Sequence, residues 1–211
     1  MFRKMRRFKQ LLPEQETVSI IDGAKTGVLG VIGDDGYPYT VPVNHVLVGN
    51  RIYFHSAREG HKVDAIRKCP KVSFSFIDKE DVISREFTTY FRSAQVFGSA
   101  VIVQDQQEKD MALLKFCEKF CSADMDRFEE VMANEASQAI IIRVDIEQMT
   151  GKEAIELVKA RKQSEFQEQS SQENAQQADN EHDRRADEHE TCKLPCHQED
   201  DRDNDKDSPL L

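Results

Sequence analysis

Residues 26–57, TGVLGVIGDDGYPYTVPVNHVLVGNRIYFHSA, contain three runs rich in β-branched and aromatic residues, interrupted only by Asp-Asp-Gly at 34–36 and Gly-Asn at 49–50. Such short, glycine-containing breaks reverse the chain between antiparallel neighbours. This stretch therefore commits the chain to a meander of hairpins. In the middle run, alternation puts Tyr37, Tyr39, Val41, Val43, His45 and Leu47 on one face, and Pro38, Thr40, Pro42, Asn44 and Val46 on the other. Pro38 and Pro42 each remove a ladder donor, which predicts an edge strand or a bulge there.

The rest of the chain adds strands and a few helices. Val18, Ile21 and Ala24 recur at helical spacing after Pro13, with Gly23 near the end of the pattern. GHKVDAIRKC reads as a short helix closed by Pro70, and KVSFSFID as a fourth strand with Val72, Phe74 and Phe76 on one side. FTTYFRSAQVFGSAVIVQD is a long fifth strand with a kink expected at Gly98. Helical segments are expected near 106–121 and 125–134, and QAIIIRVDIEQMTGK forms a sixth strand. Six strands in mostly consecutive hairpins, with peripheral helices, predict a mainly β chain folded as a small antiparallel barrel.

Charge divides the chain in two. Residues 1–162 carry 24 basic and 24 acidic side chains, whereas 163–211 carry 5 and 15, so the net charge of −10 lies wholly in the last segment. That segment has one aromatic residue, no β-branched aliphatic residue and no apolar periodicity, and cannot bury enough surface to offset its backbone entropy. The expectation is a folded domain over 1–160 and a disordered acidic tail over 161–211. The neutral domain shows no nucleic-acid footprint, and the basic run at 3–9 reads as a solvated end. No stretch approaches the ~20 apolar residues of a membrane span or has the form of a secretory signal. Five cysteines without framework spacing suit a reducing compartment, so a cytoplasmic protein is expected, with partners that exclude nucleic acid and membrane. His189, Cys192, Cys196 and His197 fall within nine residues of the tail. Their spacing fits no finger motif, and no metal site is assigned to them.

The stretch YFHSAREGHKVDAI, 53–66, crowds donors into one strand-to-helix turn. A helix start presents unpaired N–H groups and a positive dipole end. Ser56 adds a hydroxyl, Gly60 allows close backbone approach, and His61 and Lys62 add charge, together the parts of a phosphate cradle. The alternative is that Ser56 caps the helix while His61 and Lys62 are solvated. No Walker-type or GxGxxG pattern decides between them.

From GVLGVIGDDGYPYTVPVNHVLVGNRIYFHSAREGHKVDAIRKCPKVSFSF through FTTYFRSAQVFGSAVIVQD to IIIRVDIEQMTGK, the chain resembles the pyridoxamine 5′-phosphate oxidase-like FMN-binding split barrels, in the branch of nitroimidazole-resistance (Nim-type) proteins. The likeness covers about residues 5–153. It implies a six-stranded split β-barrel and a homodimer with FMN at the subunit interface. His55, Ser56, Ala57, Gly60, His61 and Lys62 stand where the family holds the FMN phosphate, with His61-Lys62 in place of the Arg-Lys pair of the oxidases proper. A histidine there weakens the clamp above a pKa of about 6.5. The preceding strand would lie against the flavin ring, placing Pro42, Val43, Asn44 and His45 beside it. His45 is then either the proton donor to the acceptor or a packed barrel histidine. Arg143 is either an ion-pair partner of Asp145 or a cross-subunit contact to FMN.

The resemblance implies an FMN-dependent oxidoreductase moving electrons from a nicotinamide or other reductant to a small organic acceptor, such as a nitroaromatic. Two alternatives stay open. One is a flavin-binding sensor or scaffold without turnover; the other is the same barrel holding haem or a deazaflavin.

Overall fold

The β-type runs become strands close to the expected places in the computed structural model, which describes residues 2–130 and 139–190. A helix α1 (Glu14–Gly23) follows Pro13. The strands are β1 (Thr26–Ile32), β2 (Pro38–Asn44), β3 (Val46–Val48), β4 (Arg51–Ala57), β5 (Lys71–Ile83), β6 (Thr88–Ile102) and β7 (Ala139–Glu153). Helix α2 (His61–Lys68) separates β4 from β5, and α3 (Gln106–Phe120) follows β6. Every pairing is antiparallel, in the order β2-β1-β5-β6-β7-β4-β3. The mainly β split-barrel class is as expected, with seven strands among the described residues in place of six.

The extra strand comes from one break. The run expected as a single strand stops pairing with β1 at Asn44, and resumes at Val46 as the partner of β4. The alternation slips there: Val43 and His45 are buried, but so is Val46, which strict alternation would put on the opposite face. Both edges of the sheet are thus supplied by one continuous run, 38–48, bent at His45. The edge position of β2 matches what Pro38 and Pro42 require.

Phe54, Phe74 and Phe76, all fully buried, set the centre of the core. Phe74 stacks on Phe76 at 5.5 Å, and Phe54 meets Phe74 edge-on at 5.9 Å. Ile20 and Ile21 of α1 and Val63 and Ile66 of α2 pack against this cluster. The kink expected in the long strand is a bulge between Phe97 and Gly98. A Cβ at position 98 would collide with the carbonyl oxygen of Asp145 on β7, so only glycine allows β6 and β7 that approach.

Two compact units divide the chain, Met1–Ala160 and Arg161–Leu211. A helix α4 spans Ile155–Glu190, so residues 161–190 are helical where the sequence reading left them without structure. The absence of apolar periodicity argues against a core, and Gln, Glu, Ala and Arg are good helix formers regardless of burial. Where a helical segment was expected near 125–134, the structure has the 3₁₀ turn Ser122–Arg127, and residues 131–134 lie outside the described residues. Cys192, Cys196 and His197 also lie outside them. No helix among the described residues is long and apolar enough to cross a membrane.

Candidate functional site

Strand β4 ends at Ala57, and the chain turns through Arg58 and Glu59 into Gly60, whose φ of +127° is a conformation that side chains resist. The Gly60 carbonyl accepts from the N–H groups of Val63 and Asp64, at 2.9 and 3.1 Å, and starts α2. The N–H groups of His61 and Lys62 then have no acceptor within the helix. No side chain caps this helix, which rules out Ser56 as its cap. A Cβ at Gly60 would meet nothing within 4 Å, so the space over the turn is open.

Side chains from three other elements converge on the turn. The imidazole of His61 stacks on Tyr39 of β2 at 4.2 Å. Its Nε2 accepts from the backbone N–H of Asp34 at 3.4 Å and lies 3.7 Å from the Asp34 carboxylate. Lys68 donates to Asp34 at 2.9 Å. That hydrogen bond, then the Lys68 and His61 charges, hold the Asp34 carboxyl below its ordinary pKa. Asp34, His61, Asp64, Arg67 and Lys68 line a cleft of about 400 Å³. On the outer face of β4, His55 meets Phe116 of α3 edge-on at 5.2 Å. Burial first, and then the Lys62 charge, push its pKa down, which puts Lys62 within electrostatic reach of His55.

The structure therefore gathers His55, Ala57, Gly60, His61 and Lys62 at one exposed turn. The Ser56 side chain does not join them. It is buried, and its Oγ has no hydrogen-bond partner, because β4 alternates and position 56 faces inward with Ile52 and Phe54. Of the β2 residues, Pro42 and Asn44 are exposed, with Asn44 Nδ2 donating to the Lys25 carbonyl at 3.2 Å, while the Val43 side chain turns into the core.

His45 lies elsewhere. Its side chain is fully buried, 4.7 Å from the Phe76 ring, and Nε2 is 2.6 Å from the Ile21 carbonyl oxygen. These contacts within the chain fit the packed-histidine alternative.

Arg143 is fully engaged. Its Nη1 contacts both Glu108 oxygens, at 3.0 and 3.2 Å, and Nε donates to Asp145 at 3.1 Å. Tyr53 also donates to Glu108, at 2.8 Å. Burial raises the pKa of Glu108, but the bonds from Arg143 and Tyr53 outweigh it and leave the group below its ordinary value. This cluster ties α3 to β4 and β7. It fits the ion-pair alternative and adds Glu108, which nothing in the sequence links to Arg143. The contacts of Asp34 and Tyr39 with His61 were equally hidden, since all join residues far apart in the chain.

A family model described as pyridoxamine 5′-phosphate oxidase matches residues 13–153. Among solved structures, a provisionally assigned 5-nitroimidazole antibiotic resistance protein from Bacteroides thetaiotaomicron is 23% identical, with 67% of this chain and 85% of that one covered at a TM-score of 0.55. A conserved hypothetical protein from Mycobacterium tuberculosis is 18% identical over 71% of this chain and 90% of its own, with a TM-score of 0.62. An FAD-binding protein from Mesorhizobium loti is 21% identical over 69% and 97%, with a TM-score of 0.52. At these identities the structural likeness speaks for the fold. No curated protein matches the chain.

Proposed function

The chain belongs to the pyridoxamine 5′-phosphate oxidase family, and from that premise we propose that it is a flavin-binding oxidoreductase that anchors FMN by its phosphate at the turn 57–62. The observation that carries this reading is the uncapped start of α2. Two N–H groups without intrahelical acceptors and an open glycine meet there, in the turn that also carries Lys62. Those donors fit a dianion in number and in charge.

When bound, FMN supplies the electron-transfer chemistry toward a small organic acceptor. The protein's part is to bind and orient. Lys62 and the first-turn N–H groups hold the phosphate. His61, stacked on Tyr39 and tethered to Asp34, adds positive charge only when protonated. On β2, a proline must turn its nitrogen away from β1, so the open edge is rich in carbonyl acceptors. The imide N–H of a flavin ring requires such an acceptor. His45 takes no part beyond holding the strand. A nitroaromatic is the acceptor to test first, since one structural relative carries a nitroimidazole-resistance assignment.

The protein is expected to purify yellow and to bind FMN at least tenfold more tightly than riboflavin. Lys62→Ala should cost about 1.5–3 kcal/mol, as for a hydrogen bond to a charged group, which is roughly ten- to hundredfold in affinity. Equal affinity for the two flavins would remove the phosphate anchor. Flavin that is reduced by NAD(P)H but not reoxidised by acceptors over many cycles would mark a sensor instead of an enzyme.

A homodimer belongs to the same proposal. Val28, Ser75 and Gln95 form one outward row across β1, β5 and β6, and Gly30, Ser73 and Phe97 form the next. Neither row contains a charge, and Val28 and Phe97 are each 40% exposed. An uncharged, part-apolar sheet face suits burial against a second copy. Sedimentation at micromolar concentration should give twice the 24.2 kDa chain mass; a flavin-loaded monomer would contradict it.

A further inference from the structure

Among the described residues Cys69, Cys117 and Cys121 are free, and the last two stand one helical turn apart at the end of α3. Residues four apart on a helix share a face, with Cβ atoms about 5–6 Å from each other. The Cys121 N–H donates to the Cys117 carbonyl at 2.8 Å and closes the final turn. Cys121 itself has left the helical conformation, with φ −129° and ψ 28°, and the chain goes on into the largely exposed 3₁₀ turn Ser122–Arg127.

The two thiols meet each other in unlike surroundings. Cys121 is exposed and Cys117 half-buried. Burial first, and then the charge and the hydrogen bond of the Cys121 thiol, push the Cys117 pKa up. The residues beside the pair are held: Phe116 stacks on Phe120 at 6.0 Å, and Lys119 Nζ donates to the Asp22 and Ala24 carbonyls at 2.6 and 2.8 Å. A disulfide requires Cβ atoms about 3.5–4.5 Å apart, so about 1–2 Å must close. That movement falls on Cys121, which already lies outside the helix.

We infer that Cys117 and Cys121 form a dithiol site that low-molecular-weight disulfides oxidise reversibly to a disulfide across the last turn of α3. The exposed Cys121 reacts first, because burial shields Cys117 from the incoming molecule. The Cys121 thiolate attacks one sulfur of R–S–S–R, whose S–S bond breaks, and the RS⁻ released takes up a proton. Cys117 then attacks the Cys121 sulfur of the mixed disulfide, and the second RS⁻ leaves with the Cys117 proton. The protein gives up two electrons and two protons, and the small disulfide becomes two small thiols. A bond that must pull in the helix end keeps some strain, and strained or exposed disulfides are the readily reduced ones. Neither cysteine belongs to the turn 57–62, so the site stands apart from the proposed flavin anchor.

The test uses the full chain as purified, with Cys69, Cys192 and Cys196 replaced by serine so that only the pair can react, and bis(2-hydroxyethyl) disulfide as the oxidant. Mass spectrometry after alkylation is expected to show both thiols lost together without an adduct. Trypsin should then release residues 116–119 joined to 120–127, and dithiothreitol should restore both thiols. Adding Cys117→Ser should trap the 2-hydroxyethyl mixed disulfide on Cys121. Adding Cys121→Ser should slow modification of the remaining thiol at least tenfold. In urea, with the burial of Cys117 removed, these two variants should react at similar rates. Equal rates for them in the folded chain would overturn the inference. So would two stable mixed disulfides on one chain, or a link formed only between chains and seen as a dimer on a non-reducing gel.

Discussion

Lowering the pH from 7 to 4 is expected to cost the folded domain about 3 kcal/mol through one imidazole, that of His45. The Ile21 carbonyl 2.6 Å from Nε2 requires the proton on Nε2, and the buried Nδ1 has no partner. A second proton would therefore enter the core at Nδ1 with no acceptor, beside the Phe76 ring. Burial pulls the pKa down to about 4, against a partial rise from the Ile21 bond; Lys119 lowers it further and Asp22 raises it. Unfolded, the group titrates near 6.5. Between those values the unfolded chain binds more protons than the native one, so stability falls as pH drops from about 6.5 to about 4 and levels off below. A gap of about 2.5 pKa units corresponds to ~3 kcal/mol. Urea unfolding at pH 7 and at pH 4.5 would read the loss. In His45→Gln, which can still donate to Ile21 but does not titrate, most of that loss should vanish. Identical pH dependence in the two proteins would mean that the buried histidine does not govern acid stability.

Replacing Arg143 by alanine should destabilise the domain by about 2–3 kcal/mol. Breaking a fully buried ion pair costs about 3–5 kcal/mol, and the side chains of Arg143 and Glu108 keep 21% and 20% exposure, which lowers the figure through solvent screening. The loss comes from stranding the Glu108 carboxylate between α3 and the sheet with Tyr53 as its remaining donor. Arg143→Met combined with Glu108→Gln should recover at least half of it, because the stranded charge is gone. Chemical denaturation of Arg143→Met, Glu108→Gln and the double variant gives the coupling directly. FMN affinity supplies the opposing outcome: Arg143→Ala with full stability but weakened flavin would make Arg143 a cofactor ligand.

What could be read in advance was local. Asp34-Asp35-Gly36 marks its hairpin, Pro13 and Gly23 bracket α1, and Gly98 announces a bulge because these residues act through their own backbones. The strand-to-helix turn was readable for the same reason, since Gly60, His61 and Lys62 sit side by side. The direction of the Ser56 hydroxyl was not readable, because strand parity, fixed by the pairing of β4 with β7, turns it inward. His45 could be weighed only as an even choice, because the outcome depends on Ile21, 24 residues earlier in the chain. Glu108 and Arg143 meet across 35 residues, a contact without any local mark.

The bend at His45 also bears on how the barrel comes apart. Edge strands ordinarily open first and independently, each at its own low cost. Here the two edges are the two arms of one run, and the residue between them is pinned to α1 through Ile21. Releasing β3 from β4 pulls on the joint that positions β2 against β1, and the reverse holds as well. The two margins of the sheet therefore behave as one cooperative unit, as a belt gives way along its whole length once the buckle is undone, with His45 as the buckle.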